Sequence, residues 1–200
     1  MSLKNALNIA RAIQAAGFKI VGSRSIRTED GHCWEATLAY GSHKLVRAGN
    51  GGHGGDDEIH YLNTAKLSVE AIRNRLVAFF ELPEAQEMLK HALVVSLGFS
   101  LEFGTIIQPE FDERKAIILA HPVELADETV VEAIMSMCAT NDLIKAAKRD
   151  VKSKLCAMLE GDDAKETWRT WKAPDTPETR AKVQAHNKVD CFVADLIAGL

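Results

Sequence analysis

The chain has 200 residues and a mass of 21.9 kDa, with 46% hydrophobic and 26% charged residues, which excludes a disordered chain, a collagen-like chain and a coiled-coil rod. The net charge of −4 argues against nucleic acid as the main partner, because generic polyanion binders usually carry a net basic surface. No segment reaches the ~20 apolar residues of a membrane span and no secretory signal pattern begins the chain, so we expect a cytoplasmic protein without a membrane partner.

The first eighty residues predict a helix, three strands and a second helix. Apolar residues recur every three to four positions from Leu3 to Ala16, which predicts an amphipathic helix ended by Gly17. FKIVGSRSIR, CWEATLAY and HKLVRA then predict a three-strand antiparallel meander. Six of the thirteen glycines fall between Gly41 and Gly55, a density that predicts a loop, with regular structure resuming near residues 59–62.

The next helix is predicted to start after Asn63 or Thr64 and to end at Leu82–Pro83, where Pro83 opens a third helix. Residues 92–120 are ambiguous, because the apolar run VVSLGFSLEFGTII fits either a helix running into a strand or two strands. A short strand is predicted at Lys115–Ala120.

Later segments predict two helices, a hairpin and a last helix. Helices are predicted to begin at Asp127 and again at Asn141. A β-hairpin is predicted near residues 152–172, and a C-terminal helix with Pro177 in its first turn is predicted to finish the chain.

The predicted fold class is therefore α+β, with an antiparallel sheet packed with several helices and a late hairpin followed by a C-terminal helix. The predicted organisation is an α-β-β-β-α unit over residues 1–82, with a glycine-rich loop at 49–57. A helical region with a short strand and the hairpin follows over residues 83–200, packed on the first unit.

Polar side chains that could carry chemistry are concentrated in the glycine-rich loop. The segment GNGGHGGDDEIHY contains two imidazoles and three acids: His53, Asp56, Asp57, Glu58 and His60. Imidazole and carboxylate groups are typical zinc or manganese ligands, so a metal site on His53, Asp56 and His60 is one hypothesis. Glycine and aspartate are also typical of hairpin loops, and a structural or protein-contacting loop is the preferred interpretation.

Other catalytic patterns are missing from the sequence. No phosphate-loop motif or nucleophile elbow is found, and the four cysteines are widely spaced without a CxxC pair. They are interpreted as reduced thiols: Cys33, Cys138, Cys156 and Cys191. No cofactor is predicted.

Two tryptophans mark the late hairpin as a second candidate for protein contact. Trp168 and Trp171 are three residues apart, so on a strand they should point to opposite faces. An exposed tryptophan beside Arg169 and Lys172 is typical of a protein-binding hot spot. The alternative is that both tryptophans pack on the C-terminal helix.

Two resemblances follow from these residues. The RTEDGHCWEATLAYGSHKL run, the GNGGHGGDDEIHY loop and the late TWRTWKAPDTPETRAKVQAHN segment resemble small uncharacterised proteins of bacteriophages and prophages. The element order of residues 3–80 resembles the double-stranded RNA-binding domain. That family has a lysine cluster at its second helix, where this chain has Lys66, Arg73 and Arg75.

The resemblance to phage proteins implies an accessory protein that binds a host protein, for example a defence protein that it inhibits. The expected function is therefore non-enzymatic protein binding through His53, Asp56, Asp57, Glu58, Trp168, Arg169, Trp171 and Lys172. The alternatives are a metal-dependent hydrolase or nuclease using the His53–His60 loop and a double-stranded RNA-binding module.

Overall fold

The computed structural model describes residues 1–28, 31–52, 56–160 and 168–198. Over these residues the protein has an α+β fold with two antiparallel sheets, which confirms the predicted class. The chain divides into two compact units. The central unit is Ala12–Cys138, and the terminal unit combines Met1–Arg11 with Ala139–Leu200. The boundary predicted at residue 82 does not coincide with this division.

The elements follow in this order: α1 (Leu3–Ala15), β1 (Phe18–Thr28), β2 (Gly31–Tyr40), β3 (His43–Asn50), β4 (Glu58–Tyr61), α2 (Val69–Phe80), α3 (Pro83–Glu102), α4 (Gln108–Ala120), α5 (Asp127–Asp150), β5 (Leu155–Leu159), β6 (Arg169–Trp171), α6 (Pro177–His186), β7 (Val189–Phe192) and α7 (Val193–Ile197). Among the described helices, none combines the length and the apolar character needed to cross a membrane.

The central unit contains a meander with the strand order β1-β2-β3-β4. The three predicted strands are present, and β4 adds an edge strand paired with β3 from Val46 opposite Tyr61 to Gly49 opposite Glu58. The predicted α-β-β-β-α order therefore becomes α-β-β-β-β-α. It also differs by one strand from the order of the double-stranded RNA-binding domain.

Aromatic rings connect β1, β2 and α2. The Phe18 ring contacts the rings of Tyr40 and Phe79 with centroid separations of 4.9 Å and 5.1 Å. Gly17 has a φ of 91°, and a Cβ atom there would lie 3.1 Å from the Tyr40 ring. Glycine at this position therefore permits both the turn after α1 and the close approach of Tyr40.

A second glycine is required within β3, where Gly49 lies close to the backbone of β2. A Cβ atom on Gly49 would lie 2.6 Å from the backbone carbonyl oxygen of Trp34, a separation that real side chains do not show. Because the obstructing atom belongs to the backbone of the paired strand, it cannot rotate away.

The helices after the sheet differ from several predictions. Helix α2 starts after Ser68, whose Oγ accepts a hydrogen bond from Ala71 N at 3.1 Å, rather than after Asn63 or Thr64. Thr64 forms an isolated β-bridge with Leu67 instead.

The prediction of a strand at Lys115–Ala120 is wrong, because these residues belong to helix α4. The Glu110 carboxylate accepts a hydrogen bond from the backbone N–H of Ile107 at 3.2 Å and stabilises the start of this helix. Helix α4 packs against α3, where Lys90 Nζ donates to the Leu119 carbonyl at 3.0 Å.

The segment between α4 and α5 is held by one amide side chain. Gln86 Nε2 donates to the carbonyl oxygens of Phe80 and Val123 at 2.7 Å and 2.9 Å, and Gln86 Oε1 accepts from Val123 N at 2.7 Å. Helix α5 then starts at Asp127 as predicted, but it continues to Asp150, so the separate helix predicted at Asn141 is wrong. No glycine or proline interrupts α5, which explains its continuity.

The terminal unit contains a sheet with the order β6-β5-β7. Strands β5 and β6 pair antiparallel, which confirms the strands of the predicted hairpin. Thr176 caps α6, and Pro177 is its first residue, as predicted. The prediction of a single C-terminal helix is wrong, because α6 ends at His186 and strand β7 then pairs with β5.

Two hydrophobic clusters stabilise the terminal unit. The first joins α1, α5, β5 and α7 through the buried residues Leu3, Leu7, Ile144, Ala147, Cys156, Met158 and Val193. The second joins β5 to α6 and β7 through Leu155, Ala157, Val183 and Phe192.

Candidate interaction surfaces

The glycine-rich loop connects β3 to β4, and its acidic residues have different roles. Asp56 and Asp57 are exposed, and Asp57 Oδ1 accepts a hydrogen bond from the Trp34 indole Nε1 at 3.0 Å. This bond links the end of the loop to β2. Glu58 opens β4, and its carboxylate lies 3.4 Å from His60 Nε2.

We name as the charged face the exposed side of the meander formed by Arg24, Glu35, Arg47, Glu58 and His60. These residues come from all four strands and line a cavity of about 230 Å³. Glu35 lies 3.5 Å from an Arg24 nitrogen and 4.0 Å from Arg47 Nε. Such long, solvated ion pairs contribute little to stability, so both arginines can bind other carboxylates at small cost.

The metal hypothesis involves a residue outside the described part of the chain. His53 lies there, whereas Asp56 and His60 are described. Within the described residues, no three His, Cys, Asp or Glu side chains are close enough together to hold a metal ion. The His53 site therefore stays a prediction.

A tyrosine–aspartate pair lies where β4 meets the start of α5. The Tyr61 hydroxyl donates to Asp127 Oδ1 at 2.6 Å. Burial and the Asp127 carboxylate raise the pKa of Tyr61 to about 12. Tyr61 and Asp127 line a surface cavity together with Arg73 and Glu128. The Arg73 guanidinium therefore lies among acidic groups rather than on an open basic surface.

Arg75 is also engaged with the protein. Its guanidinium carbon lies 4.8 Å from the Tyr40 ring centroid, and its Nη1 is buried. Of the three cations considered for RNA binding, Lys66 is exposed and Arg75 is directed to the sheet. This arrangement does not favour a contiguous phosphate-binding surface on α2.

The tryptophans of the late hairpin are half-buried and serve packing. Trp168 packs on the first hydrophobic cluster, and its Nε1 donates to Asp150 at 3.2 Å. Trp171 packs on the second cluster. The two side chains thus lie against different clusters, while Arg169 and Lys172 are exposed.

Cysteine chemistry is not favoured by the environment of the buried thiol. Burial is the main cause that raises the pKa of Cys156 to about 11, so its thiolate is scarce at neutral pH. Cys33, Cys138 and Cys191 are half-buried, and none of the four cysteines, all of which the structure describes, forms a disulfide.

Among the described residues, the large apolar side chains with the highest exposure include a group near the end of α3 that was not predicted from the sequence. We name as the apolar tip four residues around the α3–α4 turn: Val95 (43% exposed), Phe99 (54%), Phe103 (79%) and Ile107 (63%). None of the thirteen residues of α4, all of them described, is buried. The available signal was the recurrence of Ala85, Met88, Ala92, Val95 and Phe99 at helical spacing, continued by Phe103.

Comparison with known proteins gives no match. Neither a protein-family model, a curated protein nor a solved structure matches the chain.

Proposed function

We propose that this protein acts by contacting another protein and carries out no reaction of its own. The observation that carries this proposal is the apolar tip. Phe99 and Phe103 are 54% and 79% exposed and lie four residues apart at the end of one helix. Single exposed apolar residues are ordinary, but a group at one place marks an interaction site.

The charged face supplies a second contact area of a different kind. It combines two arginines with two glutamates beside the glycine-rich loop, and its ion pairs are long. Arginine is common in interfaces because its planar guanidinium can bind a carboxylate through two hydrogen bonds. We propose that the charged face binds the host protein that the resemblance to phage proteins implies. Inhibition of a host defence protein would be one form of this binding function.

The test is a capture experiment with purified chain on a solid support and bacterial lysate. The variants are Arg24→Glu with Arg47→Glu for the charged face, and Phe103→Asp for the apolar tip. The matched control is Lys145→Glu with Lys182→Glu, which changes the net charge by the same amount at two exposed lysines, one on α5 and one on α6. Retained proteins are identified by mass spectrometry.

The proposal predicts a protein that the native chain and the control retain and that one of the two surface variants loses. Binding at the charged face should also weaken at about 1 M salt, where the screening length falls to ~3 Å. The same set of retained proteins for every variant, together with an unchanged oligomeric state, would contradict the proposal. Stoichiometric zinc or manganese, lost with His60→Ala and accompanied by hydrolysis, would favour the enzyme alternative.

A further inference from the structure

The first three strands of the meander are basic, although the whole chain is acidic. Strands β1, β2 and β3 contain five lysines and arginines but only one acid, Glu35, and so carry a formal charge of +4. The whole chain has a net charge of −4. A separation of charge of this size attracts anionic partners to one part of a protein surface.

Strand register places four of these cations on the exposed side of the meander. Alternate residues of a strand share a face, so Glu35, Thr37 and Ala39 lie on one side of β2. The residues paired with these three on β1 and β3 lie on the same side, and they include four exposed cations. We name these four residues the basic strip: Lys19, Arg24, Lys44 and Arg47.

The basic strip has the dimensions of a short extended peptide. Lys19 and Arg24 are five residues apart on β1, which corresponds to roughly 15 Å of extended chain. Strands β1 and β3 flank β2, so the two rows of cations lie roughly 10 Å apart. A segment of about five residues in extended conformation can therefore lie along β2 between the two rows.

Glu35 neutralises only part of the charge of the strip. Its carboxylate lies 3.5 Å from an Arg24 nitrogen and 4.0 Å from Arg47 Nε, and both arginines are exposed. Lys19 and Lys44 form no ion pair with any residue that the structure describes. With one carboxylate for four cations, further carboxylates can pair with the strip without first breaking a strong internal contact.

The composition of this side of the sheet favours a protein segment over nucleic acid. Proteins that bind single-stranded nucleic acid provide aromatic rings on which the bases stack. The phenylalanine, tyrosine and tryptophan residues of the meander lie at the alternate positions, on the opposite side of the sheet: Phe18, Trp34, Tyr40 and Tyr61. The basic strip therefore offers positive charge without stacking, which suits aspartate and glutamate side chains.

We infer that the basic strip binds an extended acidic segment of the partner protein, through aspartate or glutamate carboxylates. This inference rests on the proposed function, which places a protein contact on the charged face, and it specifies the chemistry of the partner. Glu35 then acts as an internal competitor, because its carboxylate lies between Arg24 and Arg47, where a carboxylate of the partner would bind.

Fluorescence anisotropy of the full chain with a labelled peptide of about eight residues, alternating threonine and glutamate, tests the inference; the alternation places every glutamate on one side of the extended peptide. Lys19→Glu with Lys44→Glu should weaken binding at least about tenfold, because attractive pairs become repulsive. The matched control is Lys145→Glu with Lys182→Glu, which changes the net charge by the same amount away from the strip. Glu35→Gln should tighten binding about threefold, because it removes the competitor.

Circular dichroism checks that all variants fold, and a glutamine version of the peptide and an oligothymidylate of similar length are the comparison probes. Binding of the acidic peptide that the strip variant weakens, the control leaves unchanged and Glu35→Gln strengthens supports the inference. The absence of binding up to about 1 mM peptide overturns it, as does equal affinity of the strip variant and the control, or equal binding of the glutamine peptide. Tighter binding of the oligothymidylate than of the acidic peptide also overturns it, in favour of nucleic acid.

The lysate capture separates this inference from the proposed function. If the acidic peptide fails to bind but a lysate protein is lost with Arg24→Glu and Arg47→Glu, or with Phe103→Asp, the partner binds without an acidic segment and the proposed function stands. If the chain binds neither the peptide nor any lysate protein, both fall.

Discussion

Replacing Arg180 by alanine should destabilise the terminal unit, because one guanidinium joins two carboxylates and a ring. Nε and Nη2 donate to Asp175 at 2.5 Å and 2.8 Å, and Nη1 and Nη2 donate to Asp195 at 2.9 Å and 3.0 Å. The guanidinium carbon lies 4.5 Å from the Phe192 ring centroid. Arg180 thus links the start of α6 to β7 and α7.

The expected loss in free energy of unfolding is about 2 kcal/mol. The Asp175 side chain is only 19% exposed, so its two charge-assisted bonds are shielded from water. The Asp195 side chain is 60% exposed and adds little. Arg180→Lys keeps the charge but loses the planar fork, so its loss should be intermediate.

The effect of Arg180 should depend on pH. The Arg180 guanidinium lowers the pKa of Asp175 below its usual range. A lowered pKa in the folded state gives stability that is present above the unfolded value of about 4 and lost as the pH falls through the folded value. The difference between the native chain and Arg180→Ala should therefore shrink in acid.

Urea denaturation at about pH 7 and about pH 3, followed by tryptophan fluorescence, measures this difference. Trp168 and Trp171 report on the terminal unit, where both pack. Equal unfolding midpoints for the native chain and Arg180→Ala at neutral pH would refute the reasoning.

Four further predictions concern the central unit. Gly49→Ala should cost more than about 2 kcal/mol of stability by overpacking against the neighbouring backbone. Gly98 lies inside helix α3, and a Cβ atom there would meet no atom within 4 Å. Gly98→Ala should therefore raise the free energy of unfolding by up to about 1 kcal/mol. Thermal denaturation of the Gly49→Ala and Gly98→Ala variants measures both effects. Gln86→Leu should cost about 2 kcal/mol, because partly buried backbone groups of Phe80 and Val123 lose three hydrogen bonds, and hydrogen exchange should rise in the segment before α5. In an absorbance titration Tyr61 should ionise near pH 12, and in Asp127→Asn at a lower pH, since the carboxylate favours the neutral phenol.

The meander could be predicted because its signals are local. Alternation over CWEATLAY and the Gly41–Ser42 turn determine strand pairing over a few residues. Strand β4 has four residues, too few for alternation to stand out, and its existence depends on pairing with β3. The glycine-rich segment before it was predicted as a loop, but the hydrogen bond between Asp57 and Trp34 depends on the tertiary fold.

The helical hairpin shows where local reasoning fails. Lys115–Ala120 is a short apolar run that fits a strand or a helix equally well. Its packing against α3 decides the outcome. The same limit explains the C-terminal region, where the VDCF segment leaves the predicted helix because β5 offers it an edge to pair with.

The apolar tip was missed for a more general reason. From Ala85 to Phe103 the pattern of α3 is uniform, yet exposure changes from 0% at Ala85 to 79% at Phe103. A periodic sequence specifies which face of a helix is apolar, but whether anything covers that face is a tertiary property. The unburied half repeats the apolar spacing of the buried half, and the proposed protein contact rests on this exposed continuation of the apolar face.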